Sequence, residues 1–174
     1  MSLVLNATPL IYLTRAGFSW VFEAAGEAMF STPSVYSEVV TRGKELGRPD
    51  AKVLEDLFKN GTIVVRAPKK AILRKIQKIV AESTGAPLHA GEAGVLALAK
   101  ELNGIAVIDE KPARGAGEVL GIEVRGSAYL IGSMVRRKKI KLEEAIQAVD
   151  KMISSGWRIS TEDYLKIVEE LKKW

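Results

Sequence analysis

An α/β fold, with a central parallel sheet flanked by helices on both faces in three layers, is predicted by three observations on the 174-residue sequence. Short apolar runs such as LVL and GIAVI alternate with segments of helical period along the chain. The runs are continuously apolar, as strands covered on both faces are. No Gly/Ser linker, low-complexity tract or internal repeat breaks the order. One domain over 1–174 is therefore expected, with 127–174 a C-terminal helical extension.

The elements follow in turn. LVLN (3–6) reads as the first strand, and TPLIYLTRAG as a helix with Pro9 early and Gly17 as its stop. AMFST (28–32) is the second strand. Thr32 is a fitting N-cap and Pro33 a fitting first residue for a helix over 33–46. DAKVLEDLFKNG (50–61) spaces Val53, Leu54, Leu57 and Phe58 helically, and TIVVRAP (62–68) is a β-branched strand. Residues 69–83 form a basic amphipathic helix with Ile72, Leu73, Ile76, Ile79 and Val80 on one face.

HAGEAGVLALAKELNG is a more apolar helix, stopped by Asn103-Gly104 and expected to be buried. GIAVID (104–109) is a strand, KPARGAGEVLG a helix with Pro112 in its first turn, and IEVRG (122–126) the last strand. Helices over 127–139, 141–154 and 161–173 complete the chain, the last opened by Ser160 with Asp163 three residues on.

Composition narrows the function. The sequence has no cysteine, which excludes disulfides, thiolate catalysis and Cys-based zinc sites. No apolar run reaches the roughly 20 residues of a membrane span, and the N-terminus lacks a signal-peptide pattern, so a cytoplasmic protein with no membrane partner is expected. The net charge of +5, from 26 basic and 21 acidic residues, permits an anionic partner such as nucleic acid. Lysine and glutamate are plentiful while Asn and Gln are few, a thermophile-like drift in which Asn6 becomes conspicuous.

Ligands of parallel sheets bind at the carboxyl ends of the strands, and there the polar residues gather. Asn6 follows the first strand, and Asp109 and Glu110 follow GIAVI. Glu38 borders the buried stripe of its helix, three residues after Val35, and Glu92 lies in the first turn of the helix beginning near Ala90. If these acids meet in one crevice, their repulsion calls for a cation, and oxygen-only ligands suit Mg2+ or Mn2+. Singly, each has a plainer reading: Glu38 as a solvated helix residue, Glu92 as a first-turn acid favoured by the helix dipole, Asp109 as N-cap of the helix at Pro112.

Four segments, NATPLI (6–11), VYSEVV (35–40), GEAGVLALA (91–99) and DEKPAR (109–114), together with the tail SGWRISTEDYLKIVEELKK, resemble the archaeal and bacterial PIN-like nucleases related to toxin–antitoxin toxins. The resemblance implies a metal-dependent endoribonuclease with Mg2+ or Mn2+ held by Asn6, Glu38, Glu92 and Asp109, with Glu110 as an accessory acid. It places Thr8 where the family has a small hydroxyl residue supporting a ligand or water. It further implies RNA as substrate, a toxin role with an antitoxin protein as partner, and a homodimer, for which Tyr12, Phe18 and Trp20 are suited. The family's first acid is here Asn6, a neutral ligand that weakens a site dependent on charge, so the alternative is a catalytically silent RNA-binding or partner-binding module.

Arg114, with a fork geometry that fits phosphate, and Lys111 are the candidate substrate-binding cations. The runs RRKKIK (136–141) and KKAILRKIQK (69–78) are either phosphate-tracking or solvated helix faces. His89, without a second histidine for zinc, reads as a helix-start residue. Trp20, Trp157 and Trp174 are expected in the core or at a subunit contact. No glycine-rich phosphate loop follows the first strand, which leaves a nucleotide-binding domain unsupported.

Overall fold

Leu3, Val4 and Leu5 are each at most 1 % exposed, as a strand covered on both faces requires. They belong to β1 (Ser2–Leu5), which pairs in parallel with β2 (Ala28–Ser31) on one side and β4 (Ile105–Val107) on the other. The computed structural model describes residues 1–85 and 87–174. β3 (Ile63–Val65) and β5 (Val124–Arg125) form the two edges, giving the order β3-β2-β1-β4-β5 with every pair parallel.

Helices cover both faces. α1 (Ala7–Arg15), α2 (Val21–Ala24), α3 (Pro33–Tyr36), α4 (Arg42–Glu45), α5 (Asp50–Lys59), α6 (Lys70–Thr84) and α7 (Ala90–Leu102) precede β4. α8 (Lys111–Leu120), α9 (Ser127–Arg136), α10 (Leu142–Ser154) and α11 (Thr161–Leu171) follow it. This is the three-layer α/β/α arrangement that the alternating runs predict. α7 is the central helix: Ala93 to Ala99 are essentially without solvent contact, which explains its lack of a polar face.

The sequence of crossovers fixes the site. From β1 the chain lays β2 and then β3 outward in one direction, then returns to place β4 and β5 on the opposite side. The order reverses at β1 and β4, and their carboxyl ends bear Asn6 on one side and Asp109 and Glu110 on the other. Loops diverge at such a reversal and leave a crevice.

Three features depart from the sequence reading. The helix expected over 33–46 contains a π-helical turn, Ser37–Thr41, between α3 and α4. A single widened turn of this kind re-aims side chains without ending the helix, and here it carries Glu38. The short α2 has too few residues to show a period. The last strand is only Val124–Arg125, because an edge strand needs no long apolar run. Among the described residues, no helix is long and apolar enough to cross a membrane.

Candidate active site

Asn6 occupies the N-cap position of α1 with extended backbone, yet its side chain makes no capping hydrogen bond. A capping Asn ordinarily satisfies one of the free N–H groups of the first turn. Instead the Asn6 amide Nδ2 donates to Glu110 Oε2 at 3.2 Å, while its backbone N–H donates to Val107 and continues the ladder into β4. Glu110 is in turn the N-cap residue of α8 and also leaves its helix uncapped, accepting a second hydrogen bond from the Thr8 hydroxyl. Two helix-starting residues thus turn away from their own helices and hold each other across the mouth of the sheet.

Glu38 and Glu92 open on the same cleft, a space of about 380 Å3 lined also by Asn6, Thr8, His89 and Glu110. Gly91 forms its floor, where a methyl group would lie 3.4 Å from Asn6 Oδ1 and 3.9 Å from Glu38 Oε2. The amide and carboxylate oxygens therefore flank one point. His89 is the N-cap residue of α7, and its backbone N–H donates to Glu92 Oε2 at 3.1 Å. Glu92 is 6 % exposed. Burial raises its pKa; the His89 N–H opposes this, and the negative charges of Glu110 and Glu38 push it further upward.

Asp109 faces elsewhere. Its Oδ1 accepts the Ser127 backbone N–H at 2.8 Å and its Oδ2 the Ser127 hydroxyl at 2.6 Å, so it secures the start of α9 rather than α8. That differs from an N-cap at Pro112, because Glu110 takes that position. Burial pushes the Asp109 carboxyl up to about 6, against the two Ser127 hydrogen bonds; Glu110 adds to the rise and Arg114 counters it. Asp109 borders a second, larger cleft of about 900 Å3, which shares Thr8 and Glu110 with the first. Lys111 lies there, ion-paired with Asp163 at 3.0 Å, and Arg114 stands beyond it.

The structure brings together Asn6, Thr8, Glu38, Glu92 and Glu110, sets Asp109 and Lys111 along the adjoining cleft, and places Arg114 with both of them in a small pocket beyond it. Among the described residues no three acidic or histidine side chains stand close enough to enclose a metal ion by themselves. The donor chemistry nonetheless fits a hard cation: every donor is an oxygen, and Glu110 and Glu38 add to the rise that burial gives the Glu92 pKa. Mg2+ needs no all-protein cage, since it retains waters and binds through one or two carboxylates.

Sequence reasoning ranked Glu110 below Asp109, and only the turn after β4 decides which of two adjacent acids faces which cleft. It also passed over Arg158 and assigned Tyr12 to a subunit contact. Both line the larger cleft beside Glu110. The motif SGWRIS carried the only signal for Arg158. Neither basic run reaches the acidic cleft: Arg137 pairs with Glu27 at 3.0 Å, and Arg136 lies over Trp174.

A family model described as PIN domain matches residues 2–173. The chain is also 30% identical over 126 residues to the endoribonuclease Nob1 of Methanocaldococcus jannaschii. That match covers 72% of this chain and 56% of the relative, so the chain corresponds to little more than half of that protein. With a parallel sheet in this order, acidic residues at its carboxyl end and a family match over nearly its whole length, the chain belongs to the PIN-domain family.

Proposed function

We propose that the protein is a metal-dependent endoribonuclease that hydrolyses RNA phosphodiester bonds in the cleft beneath Asn6. The observation that carries this reading is the opening of Asn6, Glu38, Glu92 and Glu110 onto one cleft at the strand-order reversal. Glu38 and Glu92 hold Mg2+ or Mn2+, Asn6 contributes a neutral oxygen, and the acids after β4 complete the set. Of these, Glu110 lies in the cleft, and Asp109, tied to Ser127, fixes the loop that presents it. The bound ion supplies positive charge to a phosphodiester and acidifies water.

The chain's own groups supply the rest. Thr8 and Asn6 orient Glu110 through its two carboxylate oxygens. Lys111, along the adjoining cleft, and Arg114, in the small pocket beyond it, attract the phosphates of the flanking chain. The toxin role, the antitoxin partner and the homodimer follow from the family resemblance and extend the same reading.

A second reading is favoured by a specific feature. Asn6 and Thr8 satisfy Glu110 without any cation, as a catalytically silent RNA-binding or partner-binding module would need. Cleavage of a single-stranded RNA panel separates the two readings. The nuclease cuts with Mn2+, stops with EDTA, and is disabled in Glu92→Gln. The silent module cuts under neither condition and binds RNA equally well with EDTA and in Glu92→Gln.

A further inference from the structure

The small pocket beyond the larger cleft reaches Arg114. Beyond it lies a groove of about 440 Å3 lined by Arg114, Arg125, Tyr129, Glu170, Lys173 and Trp174. It shares Arg114 and Glu170 with the small pocket, which in turn shares Asp109 and Lys111 with the larger cleft. The larger cleft meets the acidic one at Thr8 and Glu110. Four neighbouring clefts, each sharing lining residues with the next, thus lie in sequence from Glu38 to Trp174.

Its far end is built of aromatic and guanidinium planes. The Trp174 indole rests on α9 at Gly132, where a methyl group would come within 2.6 Å of Trp174 Nε1, so only glycine admits the ring. The Tyr129 ring meets it edge-on, with centroids 5.8 Å apart and planes at 73°. The Arg136 guanidinium stands 5.0 Å from the indole centroid, and the Arg125 guanidinium 6.0 Å from that of Tyr129. Arg125 pairs with Glu123 at 3.0 Å, whereas Arg114, Arg136 and Lys173 form no ion pair among the described residues. Glu170 is the one acid lining this groove.

Arg114 and Lys173 as cations for phosphates, and the Trp174 and Tyr129 rings as faces for bases, are the two components of a single-strand binding surface. Duplex RNA keeps its base faces stacked internally and cannot use the second component. We propose that the Trp174–Tyr129–Arg125 groove is a distal subsite that stacks an unpaired nucleotide of single-stranded RNA whose scissile region lies in the acidic cleft. The proposal deepens the endoribonuclease reading and rests on it for the course of the strand. Of the basic run at 136–141, Arg136 touches this subsite only through the Trp174 indole.

The test is fluorescence anisotropy with labelled oligouridylate about twelve nucleotides long, in EDTA so that the strand stays intact. Trp174→Ala raises Kd by about 5- to 150-fold, the range for loss of one stacked base, and Trp174→Phe retains most of the affinity. Lys173→Glu, an exposed change that leaves the core untouched, weakens binding and flattens its salt dependence. It decides the matter should Trp174→Ala fail to fold. Wild-type affinity in both Trp174→Ala and Lys173→Glu overturns the subsite, as does a duplex of equal length bound as tightly as the single strand. Cleavage of RNA combined with that indifference leaves the nuclease and removes the subsite; dependence on Trp174 without cleavage does the reverse.

Discussion

The amide of Asn6 reaches Glu110, 104 positions away in sequence, and donates to its carboxylate at 3.2 Å. An aspartate in place of Asn6 would set two carboxylates against each other at this distance, a contact that needs a proton or a cation between them. The amide removes that requirement and lets the cleft assemble around a hydrogen bond. The cleft therefore has less negative charge to draw a metal.

Ser127 holds Asp109 by both its backbone N–H and its hydroxyl. Ser127→Ala removes the hydroxyl donor from a buried carboxylate and is expected to destabilise the protein by about 1–3 kcal/mol in chemical denaturation. The Asp109 carboxyl, already pushed up to about 6, should rise further, which carbon-detected NMR titration measures. An unchanged titration would mean that the hydroxyl bond contributes nothing in solution.

Glu92 is strained by burial and by its acidic neighbours. Its folded pKa is raised, so its contribution to stability is full below the ordinary value of 4.5 and is lost as pH rises through the folded value. Glu92→Gln keeps an acceptor for the His89 N–H and removes the charge. In the absence of divalent ions the variant should melt at a higher temperature than the wild type at pH 7, with the gap closing as pH falls below 4.5. A lower melting temperature at pH 7 would show that the charge is not under repulsion.

Glu55 behaves oppositely. Hydrogen bonds from Lys59 and Lys44 hold its carboxyl down at about 2. That contribution is present above 4.5 and is lost as pH falls toward 2. Glu55→Gln should therefore lower the melting temperature near neutrality and show a shallower decline across that acid range. Parallel melting curves for the two proteins would contradict the pairing.

Much of this molecule is legible in its sequence, because strands buried on both faces and helices with Pro starts announce themselves by composition and punctuation. Thr32 accepts the Val35 N–H, and Ser160 the Asp163 N–H, as N-caps should. The meeting of Asn6 with Glu110 also follows from strand ends, once β1 and β4 are neighbours. Which of Asp109 and Glu110 turns inward is not legible, because both follow the same strand and Ser127, which captures Asp109, lies 18 positions later. The π turn bearing Glu38 is equally silent, since Val35, Val39 and Val40 satisfy an ordinary helical period. The distal groove required knowing that Arg114, Tyr129 and Trp174 meet, which no local pattern encodes.

Calorimetric titration of Mn2+ into the wild type, Asn6→Asp and Glu92→Gln measures whether the cleft lined by Asn6, Glu38, Glu92 and Glu110 takes up a divalent cation. The account predicts weak binding by the wild type, tighter binding by Asn6→Asp as the added carboxylate restores charge, and loss of binding in Glu92→Gln. Equal heats for all three proteins, or a site insensitive to both substitutions, would contradict it.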